Sequence, residues 1–265
     1  MLGSDFGEEN SATQRKLVEH DTSEIRLLFA LALGLPRSMK FPCVLALSLV
    51  LVGCRTAKHQ STWQPLFPLD GVPIGWVVRA WNDVSQPGPT NSVWKVQNGV
   101  LTSEGARGCW LMWEQVLGDF ELEYEFRLGA QGNSGLALRA PMTGDPAFDG
   151  LELQMADYRY NTEAKDSELT GGIYRVVAPT KQVYRPEAWN RYQVSLIGSR
   201  LRVKLNGELI QDLDLSTQTK VVQRHDGRDV LPLKDRPKRG HIGFQELSRN
   251  GSHVEIKNAR ILIMN

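Results

Sequence analysis

The sequence predicts an all-β chain, a sandwich or barrel of antiparallel strands, on three observations. Apolar and charged residues alternate with a period of two over 120–128. Segments of this kind recur, separated by Gly and Asn turns. Beyond the N-terminal region no stretch holds a helical period. The alternation is clearest where Phe120, Leu122, Tyr124, Phe126 and Leu128 interleave with Glu121, Glu123, Glu125 and Arg127. One apolar and one charged face define a half-buried antiparallel strand, so the glutamate face is expected to be wet. Residues 93–101 read as a hairpin turning at Asn98-Gly99. A second hairpin runs through Tyr192, Val194 and Leu196, turns at Gly198-Ser199 and returns through Leu201, Val203 and Leu205. Asn206-Gly207 then turns the chain into the strand that Leu209 begins. Near the end, Val254 and Ile256 set one parity and Ile261 and Ile263 the other, which a bulge near Asn258 reconciles. Residues 216–239 lack a strand pattern and are rich in Arg and Lys. A loop this long inside a domain is either solvated or a site wall or lid.

Composition narrows the function classes. The 265 residues carry 31 Lys+Arg against 30 Asp+Glu, so no basic excess marks a nucleic-acid binder. Three Cys with no CxxC pair argue against a disulfide framework or a structural zinc module. GxSxG, P-loop and HExxH motifs are absent, and His225, His241 and His253 are not spaced as a local metal pair.

The N-terminus divides into expected segments. Residues 1–38 read as an upstream extension. Residues 39–53 carry Lys40 and then an apolar run too short to span a bilayer, the pattern of an export signal. Leu51-Val52-Gly53-Cys54 resembles a bacterial lipobox, which makes Cys54 the expected lipidation site. Residues 54–62 are then a linker and 63–265 one folded domain. The expected location is the cell envelope, held to the membrane through the lipid.

Two strand segments carry the polar chemistry. In 150–157, Leu151, Leu153 and Met155 share one parity and Glu152 and Gln154 the other. Asp157 joins the latter pair if a bulge or strand end restores its direction. The E-x-Q-x-x-D spacing echoes the carboxylate pairs of sandwich-fold glycosidases. In the second segment, Asn133-Ser134 lies between Gly132 and Gly135, and Ala137 and Arg139 share a parity. Arg139 reads equally as a structural ion pair or as an anchor for sugar hydroxyls. Trp110 is a candidate stacking platform for a sugar ring.

The runs Asp70-Gly71, Trp94-Lys95-Val96, Gly118-Asp119-Phe120-Glu121-Leu122, Gly132-Asn133-Ser134-Gly135, Glu152-Leu153-Gln154, Gly171-Gly172-Ile173-Tyr174, Trp189-Asn190, Ile242-Gly243-Phe244-Gln245 and Lys257-Asn258-Ala259-Arg260-Ile261 occur in order over about 63–263. In order and spacing the chain resembles the 3-keto-disaccharide hydrolase domain family. The resemblance implies a concanavalin A-like jelly-roll β-sandwich of two antiparallel sheets. It also implies action on glycosides oxidised at C3, where the ketone acidifies the C2 proton and the C1 aglycone leaves by β-elimination before water adds. On that reading Glu152 is the general base and Asp157 or Glu246 the acid. Asn133, Arg139, Gln154, Tyr174, Trp110 and Gln245 hold the sugar. Family members often read Gln-Asp-His-Gly where this chain reads Gln245-Glu246-Leu247-Ser248, so that histidine is absent unless His241 or His253 takes its place. The sequence assigns no metal ligands and no cofactor, and leaves a divalent ion open. The rival readings are a non-catalytic carbohydrate-binding sandwich and a structural envelope lipoprotein.

Overall fold

The structure is a computed structural model and describes residues 62–264. Cys54, the expected signal segment 39–53 and the expected upstream extension 1–38 lie outside the described residues.

In chain order the strands are β1 (Gln64–Pro65), β2 (Trp76–Ala80), β3 (Ser92–Gln97), β4 (Val100–Gly105), β5 (Cys109–Trp113), β6 (Asp119–Leu128) and β7 (Asn133–Ala140). A single helical turn, α1 (Pro146–Asp149), precedes β8 (Leu151–Ala156). There follow β9 (Asn190–Ile197), β10 (Arg200–Leu205), β11 (Glu208–Asp214), β12 (Val222–Gln223), β13 (Asp229–Val230), β14 (His241–Glu246) and β15 (Val254–Met264). One sheet runs β11-β10-β9-β6-β15-β4-β3, with β1 also paired to β15. The other runs β2-β5-β14-β7-β8. Pairing is antiparallel throughout. The chain crosses repeatedly from sheet to sheet, as a jelly roll requires, so the expected two-sheet antiparallel sandwich is the observed fold.

The core lies between the sheets. The apolar face of β6 meets Leu136, Leu138, Leu151, Leu153, Met155 and Phe244 from the opposite sheet. Tyr124 stands edge-on to Phe244 with centroids 5.2 Å apart, and Phe126 stacks on Tyr192 at 4.9 Å. Each such ring, fully buried, contributes roughly 1.5–3 kcal/mol. The two Asn-Gly turns form as read, with Asn98, Gly99, Asn206 and Gly207 all at positive φ. The bulge also forms: the β15–β6 register shifts between Lys257 and Arg260, and Asn258 is left-handed at φ 53°.

Two expectations change. The glutamate face of β6 is not uniformly wet, because Glu123 is only 7% exposed, held between Arg191 and Arg260. Residues 216–239 contain the β12–β13 ribbon, whose two-residue strands are too short to leave an alternating signature.

Candidate active site

The outer face of the five-stranded sheet carries the chemistry. On β8 the inward side chains Leu151, Leu153 and Met155 enter the core, so Glu152, Gln154 and Ala156 face outward. Asn133, Gly135 and Ala137 of β7 lie opposite them in register. The free edge of β8 is extended by the segment that follows the loop after it. Gln154 N–H donates to the Gly172 carbonyl at 2.9 Å, Gly171 N–H donates to the Gln154 carbonyl at 3.1 Å, and Tyr174 N–H donates to the Glu152 carbonyl at 3.0 Å. These bonds seat Tyr174 and Arg175 beside the polar row of β8.

Arg175 adopts a left-handed backbone, φ 61°, which a non-glycine residue holds only when its surroundings fix it. Its guanidinium supplies the fixing bonds. Nε donates to Glu168 Oε1 at 3.0 Å, Nη1 to the Gln223 carbonyl at 2.9 Å, and Nη2 lies 3.3 Å from His225 Nδ1. An arginine has only donors, so Nδ1 of His225 accepts and the ring proton sits on Nε2. Burial, then the neighbouring Arg175, lowers the His225 pKa below its ordinary 6.5, which keeps the ring neutral at pH 7. Trp81, Phe148 and Tyr174 surround the imidazole at centroid distances of 6.0, 5.5 and 6.2 Å.

These groups enclose a cavity of about 520 Å³. Of the residues expected at the site, Asn133, Gln154, Asp157 and Tyr174 line it. The Asn133 side-chain oxygen is buried there without a hydrogen-bond donor. Gln154 turns its own oxygen toward the Met155 N–H at 3.0 Å. Burial, then the Glu152 charge, pushes the Tyr174 phenol upward, so it stays a hydrogen-bond donor.

The other expected residues sit elsewhere. Glu152 is on the correct face but does not line the cavity. It packs over Gly135, where a Cβ would come within 1.9 Å of its Oε1, and that oxygen is buried with no partner. Burial, then Asp145, lifts its pKa well above the usual carboxylate range, which suits a neutral acid and not a resting base. Asp157 is the reverse case. Its carboxylate accepts four hydrogen bonds, from Arg159 N–H, Nε and Nη2 and from the Tyr184 hydroxyl. Its pKa is lowered although burial, the largest influence, opposes this, because the bonds from Arg159 and Tyr184 together outweigh it. It therefore stays ionised and saturated, unsuited to the acid role expected of it.

Arg139 does not reach the site. Its backbone is left-handed, φ 49°, where the β7–β14 register shifts, and this turns the side chain off the parity of Ala137. The guanidinium is buried on the carbonyls of Gly118 (2.9 Å) and Gly198 (2.8 Å) and on Asp119 (2.9 Å). Glu246 belongs to the inward parity of β14 with Phe244 and receives the N–H groups of Ser248 and Val254. Trp110 is fully buried, its Nε1 donating to the Trp81 carbonyl at 2.9 Å, so no ring face is left for a sugar. Gln245 is buried beside Trp110 and does not line the cavity. His241 lies 2.8 Å from the Trp113 carbonyl and His253 lies beside Glu246, so neither replaces the missing histidine.

Sequence reasoning missed Trp81, Arg107, Glu168, Arg175 and His225, all on the cavity wall. None carries a local motif. Only the patternless, charge-rich stretch 216–239 pointed at one of them, since it delivers His225. Among the described residues no group of three or more His, Cys, Asp or Glu is placed to hold a metal ion.

A jelly-roll sandwich whose sheet opens into a cavity of amides, phenols, carboxylates and indole is built for carbohydrate, in the class of glycoside-cleaving or carbohydrate-binding proteins. The chain belongs to the 3-keto-alpha-glucoside-1,2-lyase-like domain family, whose profile matches residues 62–262. Among solved structures, one candidate glycosyl hydrolase of Parabacteroides distasonis is 25% identical over 77% of this chain and 100% of its own, with a TM-score of 0.58. A second from the same organism is 23% identical over 77% of this chain and 94% of its own, with a TM-score of 0.56. No curated protein matches the chain.

Proposed function

We propose that the protein cleaves glycosides already oxidised at C3 of the sugar. The observation that carries this reading is one cavity holding an incompletely bonded carboxylate, several donors and an orphan acceptor. Of the two carboxylates on the wall, Asp157 is saturated. Glu168 accepts only from Arg175 Nε and from the Lys165 N–H, about half of a carboxylate's capacity. Glu168 is the general base in this proposal, in place of Glu152. It takes the C2 proton, the C1=C2 bond forms as the C1–O bond breaks, and the aglycone oxygen receives that proton and departs as an alcohol. Water then adds across C1=C2. Tyr174, Arg175 and the Nε2–H of His225 supply donors to the C3 oxygen as its negative charge develops. Asn133 receives a sugar hydroxyl.

The test is turnover of methyl 3-keto-glucoside in D₂O. Elimination and rehydration place deuterium at C2, and unoxidised methyl glucoside is left intact. Glu168→Gln should lower turnover roughly 10²–10⁴-fold and Glu152→Gln much less. The opposite ranking returns the base to Glu152, and cleavage of the plain glucoside with no label at C2 ends the keto-sugar mechanism. One observation favours the rival carbohydrate-binding reading: Leu247, which follows Gln245-Glu246 where the family often has histidine, lines the cavity and brings no proton chemistry. Sugar binding without cleavage of either substrate would establish it.

The anchoring reading is a separate proposal supported by the 51–54 motif. Cys54→Ala should leave an unprocessed, unlipidated precursor. Cleavage after Gly53 in that variant, with no lipid on the native chain, would reject it.

A further inference from the structure

The charged residues on the cavity wall are two carboxylates, Asp157 and Glu168, and two guanidinium groups, Arg107 and Arg175. Both carboxylates have their arginine partners, Asp157 in Arg159, which also bridges to Glu187, and Glu168 in Arg175. Arg107, also on the wall, meets no carboxylate among the described residues. Its Nε donates to the Leu247 carbonyl at 2.9 Å and its Nη2 to the Tyr160 hydroxyl at 3.0 Å, so its orientation is fixed while Nη1 stays uncommitted. Arg249 covers the ring of the same tyrosine, with its Cζ 4.4 Å from the centroid, and likewise has no carboxylate partner among the described residues. Tyr160 is itself a lining residue. Two guanidinium groups thus converge on one phenol at the cavity, and His225 on the wall is neutral and adds no charge. An entering anion gains a charge-assisted bond from a donor already oriented.

We propose that the glycoside taken by this cavity carries an anionic group, a carboxylate, sulfate or phosphate, received by Arg107 with Arg249 reinforcing the local positive potential. The inference rests on the reading of the cavity as a glycoside site and adds the charge class of its substrate. The planar fork of arginine suits such two-oxygen groups better than a lone hydroxyl.

Calorimetric binding to the full chain at low ionic strength tests it with three probes. Methyl β-D-glucuronide places the anion on the sugar, 4-carboxyphenyl β-D-glucoside places it on the aglycone, and methyl β-D-glucoside is neutral. One anionic probe should bind about tenfold or more tightly than the neutral one, and which of the two it is identifies where the charge sits. Arg107→Gln should abolish that preference. Arg249→Gln should reduce it, and 0.5 M salt should weaken it. Equal or weaker binding of both anionic probes, or no binding of either at millimolar concentration, overturns the proposal. So does a preference that survives Arg107→Gln in a variant with an unchanged melting temperature. Turnover of methyl 3-keto-glucoside is measured separately. Turnover without charge preference removes this inference and keeps the proposed reaction, whereas charge-selective binding without turnover does the reverse.

Discussion

Replacing Asp145 with Asn should make the protein more stable, and increasingly so as pH rises. Asp145 caps α1, its Oδ1 accepting the Ala147 N–H at 3.0 Å, yet the residue is only 5% exposed. Burial is the leading influence on its carboxyl and lifts the pKa from 3.8 to about 7. The folded form therefore holds a proton that the unfolded chain releases above about pH 4. Stability must then fall as pH rises from the unfolded pKa toward the folded one, and level off above it. Each pKa unit is worth about 1.4 kcal/mol. Between pH 5 and pH 8 about two units are traversed, so the native protein should lose about 2–3 kcal/mol relative to Asp145→Asn. Asparagine preserves the cap because its amide oxygen accepts the same N–H. The nearby Glu152 carboxyl, also raised by burial, titrates in both proteins and contributes chiefly to the common slope. Urea denaturation of the full chain and the variant at pH 5, 6.5 and 8 gives the comparison. A stability difference that stays constant across these pH values, within about 0.5 kcal/mol, would refute the claim that Asp145 is held neutral.

Three further outcomes follow from the geometry. Arg139→Met should cost about 1–3 kcal/mol, because it removes the donors to the Gly118 and Gly198 carbonyls and to the half-exposed Asp119, while leaving sugar affinity unchanged; weaker binding with an unaltered melting curve would return Arg139 to the site. His225→Leu should keep the fold and lower turnover of methyl 3-keto-glucoside roughly 10²–10³-fold, the usual loss for one donor to a developing oxyanion, read from steady-state kinetics. Glu123→Lys should lower the melting temperature by several degrees, since it places a third cation between Arg191 and Arg260, and tolerance within about 0.5 kcal/mol would mean that face is wet after all.

The fold was legible in the sequence because its information is local. A period-two pattern states which side chains of β6 meet the core, an Asn-Gly pair states where a hairpin turns, and a change of parity in β15 required the bulge found at Asn258. Half of the site was legible for the same reason: Gln154 and Asn133 project where strand parity sends them. Parity failed at Arg139, where a left-handed residue breaks the alternation, a conformation no neighbouring residue announces. It also could not distinguish an outward side chain lining a cavity, as Gln154 does, from one sealed behind its wall, as Glu152 is. The rest of the site is a matter of loop packing. Arg175 and His225 are fifty positions apart and meet only because the 216–239 stretch lies against the segment that covers the β8 edge. Arginines paired with carboxylates and an arginine left free look identical in a sequence, so the charge of the cavity could be read only from its partners in space.

The position of β15 sets the order in which the molecule can be assembled. This strand occupies the middle of the large sheet, between β6 and β4, and β14 occupies the middle of the other, between β5 and β7. Everything synthesised before residue 241 therefore consists of half-sheets with open inner edges, and neither layer closes until residues 241–264 thread in. Until residues 241–264 have been made and have left the exit tunnel, the chain has no completed layer on which to condense. Folding must proceed as one late, long-range event, slow by the standards of proteins built from local contacts. Removing even the eleven-residue β15 should leave no independently folding fragment, only a chain with exposed strand edges prone to associate with its own kind.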